Sequence, residues 1–152
     1  MKYLGILLSV LFFVGCGGGG SSSPKILEEV TFDELNKGGY IFTANIYNIA
    51  NSSKGIEGVK GYFCENQVYK EVYPDGRYVK GGYIANSKNG TVVLYFPTHT
   101  ATIYNGSDHI FAGNSYNMIS NNVTYSFVIT KIEKVDNLNC NWEWKLFFTL
   151  FN

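Results

Sequence analysis

The chain has 152 residues and balances 12 Lys and Arg against 12 Asp and Glu, giving a formal charge of zero at neutral pH. Arg77 is its single arginine and the lysines are scattered, which excludes a phosphate-tracking groove and, with it, nucleic acid as a partner. The length suits one domain with its own hydrophobic core.

Met1-Lys2 precedes an apolar run from Leu4 to Val14, a charged n-region and short h-region of the kind that directs export. A run of about eleven residues falls short of the roughly 20 that a membrane-spanning helix needs. The run ends in Phe13-Val14-Gly15-Cys16, and Gly17 to Ser23 is all glycine and serine, closed by Pro24. This junction resembles the lipobox of bacterial lipoproteins, with Phe13 where leucine is usual and Gly15 at the cleavage position. The resemblance implies a signal peptide over residues 1–15, a lipidated Cys16, a flexible linker over 16–27 and a single domain over 28–152. One acyl chain binds a membrane only marginally, and each buried methylene adds about 0.8 kcal/mol. The three chains of such an anchor would hold the protein on its membrane partner permanently. Gly17 stands where an aspartate favours inner-membrane retention, so a cell-envelope protein on the outer membrane is expected, facing the periplasm or the exterior.

Downstream, Thr31-Phe32-Asp33-Glu34 has the pattern of a capping box, and Gly38-Gly39 can stop the helix it starts. One short helix is predicted there, and strands everywhere after it. Residues 40–48, 59–65, 67–73, 77–85, 91–96, 100–104, 115–120, 123–133 and 142–151 are rich in β-branched and aromatic side chains. Pro74-Asp75-Gly76, Asn89-Gly90, Asn105-Gly106 and Asn121-Asn122 separate several of them as turn signals. Connections this short force antiparallel neighbours. The predicted fold class is therefore all-β: an up-and-down antiparallel meander that closes into a small barrel, since closure removes exposed edges. A two-sheet sandwich is the competing architecture.

Period-two alternation assigns the faces. Val123, Tyr125, Phe127 and Ile129 share one face of their strand, and Trp142, Trp144, Leu146, Phe148 and Leu150 share one face of the last. Tyr125, Phe127, Trp142, Trp144 and Phe148 are thus the candidate lining of a barrel interior. Phe147 and Phe151 fall on the other side of the last strand and need a cover, for which the helix near Phe32 and Leu35 is the candidate. Cys64 and Cys140, the pair left after processing of Cys16, read as a disulfide in an exported chain. The alternative, a thiolate metal site, has only His99 and His109 to complete it and no CxxC or HxxxH spacing, so no metal is expected.

A short helix, then Gly38-Gly39-Tyr40 opening the first long strand, then an aromatic meander is similar to the lipocalin group, whose Gly-x-Trp motif opens the first strand. The resemblance implies a lipocalin-like cup for a small apolar or aromatic ligand. A second resemblance, "GYFCEN" followed by "YPDGRYVKGG" and a late cysteine, is to the periplasmic and membrane-bound lysozyme inhibitors. It implies instead an envelope interaction protein, an inhibitor, assembly factor or scaffold, with no small-molecule ligand.

Catalytic chemistry finds little support. The sequence has no GxSxG elbow, no Walker loop and no GxGxxG opening a helix. Asp108 and His109 are adjacent, so on a strand they are expected on opposite faces and not as a pair. Glu65 and Glu71 are the one conceivable carboxylate pair. The chain is read as a binding protein, not an enzyme, and without a cofactor.

Overall fold

The computed structural model describes residues 23–140. Cys16 and the predicted strand 142–151, with Trp142, Trp144, Phe147, Phe148 and Phe151, lie outside the described residues. The elements are β1 (Lys25–Leu27), β2 (Glu29–Thr31), α1 (Phe32–Leu35), β3 (Tyr40–Asn48), β4 (Asn51–Phe63), β5 (Val68–Val72), β6 (Tyr78–Asn86), β7 (Thr91–Tyr95), β8 (Thr100–Tyr104), β9 (His109–Phe111), β10 (Ser115–Ser120) and β11 (Val123–Lys134). Strands β3, β4, β5, β6, β7, β8, β10 and β11 are joined in an antiparallel ring, and β11 pairs back onto β3 to close it. This is the predicted closed meander rather than a sandwich. The ring closes through β11, from Tyr125 opposite Asn48 to Lys134 opposite Tyr40, and does so without residues 142–151.

Three local features depart from the sequence reading. Lys25–Leu27, assigned to the linker, forms β1 against Ile132–Lys134 of β11, as suits Ile26 and Leu27 once Pro24 has been passed. Residues 109–111, unassigned in the sequence reading, form β9 and leave the meander to pair with β2 outside the ring. The alternation in β11 runs inward through Phe127 and Ile129, then shifts at a bulge around Thr130 so that Ile132 also points inward.

Helix α1 begins as the capping box predicts, with the Thr31 hydroxyl accepting from the Glu34 amide at 3.2 Å. Its Phe32 and Leu35 are fully buried in the interior cluster. The helix therefore closes one end of the barrel, while Phe147 and Phe151, which it was expected to cover, lie outside the described residues. It is tied down twice: Asn36 donates to the Ala85 carbonyl at 2.8 Å and accepts from the Ala85 amide at 2.9 Å. Gly38, at φ +80, lets the chain turn from helix to strand, and a Cβ there would meet the Cys64 carbonyl at 2.5 Å. Lys134 then lies over the Tyr40 ring at 4.1 Å. Cys64 and Cys140 form the predicted disulfide, with Cα atoms 5.9 Å apart.

Inside, Phe42, Tyr69 and Tyr83 surround Phe63 with ring centroids 4.6, 5.0 and 4.9 Å away. These rings, with Ile103, Ile129, Ile132 and Leu94, belong to the interior cluster of the barrel. The end opposite α1 carries the four hairpin turns that follow β3, β5, β7 and β10.

Candidate functional site at the hairpin end

Strand β5 brings chemistry into the barrel. Its alternation turns Tyr69 and Glu71 inward, opposite Gly81 and Val79 of β6. Glu71 is 6% exposed and is the one charged side chain buried among the described residues. Tyr69 donates to its Oε2 at 2.9 Å, and Tyr73, two residues further on, makes a second hydrogen bond to it. Gly61 of β4 makes room for this arrangement, because a Cβ there would stand 2.8 Å from the Tyr69 phenol oxygen.

Both phenols keep their protons. Burial pushes Tyr69 well above the ordinary tyrosine range, and the charge of Glu71 and the bond to it add to the rise. Burial, then the bond and charge of Glu71, raise Tyr73 as well, against the opposing pull of Arg77. The cluster is thus a carboxylate held by two neutral donors.

Tyr73 also lines a groove of about 770 Å³ at the hairpin end, together with Ile56, Asp75, Arg77, Tyr78 and Val79. The groove exists because β4 pairs with β5 only over Lys60–Phe63, so its first half diverges from the β5–β6 hairpin. Pro74-Asp75-Gly76 makes the predicted turn, with Gly76 at φ +85. Asp75 accepts from the Arg77 amide at 3.0 Å and from its guanidinium at 2.7 Å, and these bonds hold its carboxyl below the usual range. Arg77 stands 5.8 Å from the Tyr73 ring centroid. At the same end, Phe96 packs 5.8 Å from Tyr69 and 4.9 Å from His99.

Of the predicted lining residues within the described chain, Phe127 is 3% exposed and belongs to the filled core. Tyr125 is half-buried against that core, opposite Asn48 near the hairpin end. Trp142, Trp144 and Phe148 lie outside the described residues. Sequence reasoning missed the role of Glu71 by pairing it with Glu65, which is exposed in the turn after Cys64 while Glu71 is buried. The available signal was "YKEVY", where an acidic residue takes the inward phase of an alternating strand between two tyrosines.

Asp108 and His109 correct a second expectation. Asp108 precedes β9 in a bend, so the two side chains do meet, Nδ1 to Oδ1 at 2.8 Å. Ser107 bonds the main chain of His109 rather than its ring, so no nucleophile faces the imidazole through it. Among the described residues no group of three or more His, Cys, Asp and Glu could hold a metal, and no helix is long and apolar enough to cross a membrane.

Fold and site together define the class: a closed eight-stranded antiparallel β-barrel, capped by a helix at one end and carrying a tyrosine–carboxylate cluster beneath an aromatic groove at the other. Comparisons with protein-family models, with curated proteins and with solved structures find no match to this chain.

Proposed function

We propose that the protein is a lipid-anchored envelope protein whose barrel takes a small ligand with an apolar or aromatic body at its hairpin end. The observation that carries this reading is Glu71. Burying a carboxylate costs several kcal/mol unless its partners compensate, and an apolar residue of similar size often serves stability better. A charged side chain beneath a groove of aromatic and aliphatic walls is the composition of a binding site: mostly apolar, with a few placed polar groups. The test is equilibrium binding of small aromatic compounds to the full chain, followed by tyrosine and tryptophan fluorescence. Saturable binding that falls at least tenfold in Tyr73→Ala supports the reading. Binding unchanged by that substitution removes the groove from it.

One observation favours the second reading, an envelope interaction protein. Residues 51–58 of β4 are all exposed, and along the edge facing away from β3 no strand pairs with them among the described residues. A strand edge of this kind can accept an extended segment of a partner. Inhibition of a lysozyme by the full chain, lost in Arg77→Ala, would favour this reading over the first.

A further inference from the structure

We infer that the ligand of this site is an organic cation, an amine with a compact apolar or aromatic body, and not a fatty acid or other anion; this rests on the small-ligand reading above.

The argument starts from charge. Glu71 is the one charged group buried among the described residues, and its two donors are neutral phenols. Hydrogen bonds from phenols satisfy lone pairs, but they do not cancel a charge. A carboxylate has about four lone-pair directions, so two tyrosines leave acceptor capacity over. Cross-strand, Glu71 faces Val79 and Gly61, neither of which carries a donor in its side chain. An ammonium group would supply both a donor and the missing counter-charge, in surroundings where water screens little. A ligand carboxylate would set like charges against one another, which disfavours it.

The groove repeats the preference. Arg77 already places a cation over the Tyr73 ring, at 5.8 Å, and Lys70 places one over Tyr78 at 4.5 Å. The tyrosine faces at this end are therefore sites where positive charge settles. Asp75 and Arg77 offset each other through their 2.7 Å contact and Lys70 engages the Tyr78 ring, so the buried charge at the site is that of Glu71.

Tyr73 links groove to cluster. It lines the groove and donates to Glu71, and its phenol oxygen keeps lone-pair capacity to accept from a ligand donor. Ile56 and Val79 provide the apolar walls. A volume of about 770 Å³ lies within the range of sites for small organic molecules.

Three probes that share one body separate the possibilities: phenethylamine, 2-phenylethanol and 3-phenylpropionate, titrated calorimetrically into the full chain in detergent against a detergent blank. The amine is expected to bind roughly tenfold or more tighter than the alcohol, as a charge-assisted hydrogen bond allows, and the carboxylate weaker than both. Glu71→Gln should bring the three together. Val79→Lys, which places an ammonium opposite Glu71, should lower the affinity of the amine more than that of the alcohol and so abolish the amine preference. If Glu71→Gln fails to fold by near-UV circular dichroism, Val79→Lys and Tyr73→Phe decide the matter, the latter expected to weaken the amine more than the alcohol. Equal or tighter binding of the carboxylate, or an amine preference that survives these variants, overturns the inference and leaves the small-ligand reading standing. Binding of none of the three removes that reading, and the inference with it.

Discussion

Tyr83 is 1% exposed, and its hydroxyl donates to the Leu35 carbonyl at 2.6 Å, tying β6 to the helix that closes the barrel. The same carbonyl accepts from the Gly38 amide at 2.9 Å, so the phenol supplies a second donor to a helix-end acceptor. Tyr83→Phe keeps the ring and removes the donor; it is expected to cost about 0.5–1.5 kcal/mol in urea denaturation. Burial first, and the Tyr40 charge second, push the Tyr83 phenol up to about 12. A phenol raised in the folded state contributes stability that is complete below the unfolded value near 10 and is lost as pH rises through about 12. Stability measured between pH 10 and 12 should therefore fall, and fall less steeply in Tyr83→Phe; equal slopes would reject the assignment. At this scale the sequence was readable where alternation was regular. Phe127 turned inward as its phase required. For Glu71 the sequence offered only the phase of "YKEVY"; that the strand buries this charge follows from the pairing of β5 with β4 and β6.

Elements were more legible than their ends. The helix came from Thr31 and Glu34, and the turn at Asn121-Asn122 from residues that tolerate positive φ, here 49° and 61°. The length of β4 was not legible, because Asn51–Gly58 carries two glycines and little alternation; it is held as a strand by its pairing with β3. The short β9 was hidden for a similar reason, since its partner β2 lies about 80 residues away in sequence. The disulfide was legible from a count alone. It closes a separation of 76 residues between the end of β4 and the segment after β11, which by the chain-entropy relation limits the unfolded state substantially. Cys64→Ala with Cys140→Ala is expected to lower stability by about 2–5 kcal/mol, read as a lower urea midpoint, and reduction of the wild type should lower it comparably. A midpoint that moves in neither case would mean that the bridge adds nothing to the stability of the barrel.

For the molecule as a whole, closure has a consequence for where the protein sits. The ring is complete between Tyr40 and Lys134, and the ordered pairing starts at Lys25. In the sequence, Cys16 precedes β1 by the eight residues Gly17 to Pro24. At 3.3–3.6 Å per extended residue, eight residues reach on the order of 30 Å at most, which would suffice for the proposed anchor to hold the barrel near a bilayer. Anchor and barrel should then be separable. On the proposed anchoring, Cys16→Ser is expected to lose incorporation of a fatty-acid analogue and to leave the membrane fraction, because thioether acylation needs that sulfur. It should keep the near-UV circular dichroism, the urea midpoint and the probe affinities of the wild type. Equal labelling of both forms would refute lipidation at Cys16. Loss of label together with loss of cooperative unfolding would show instead that the N-terminal segment takes part in the fold, and that the boundary drawn at Lys25 is misplaced.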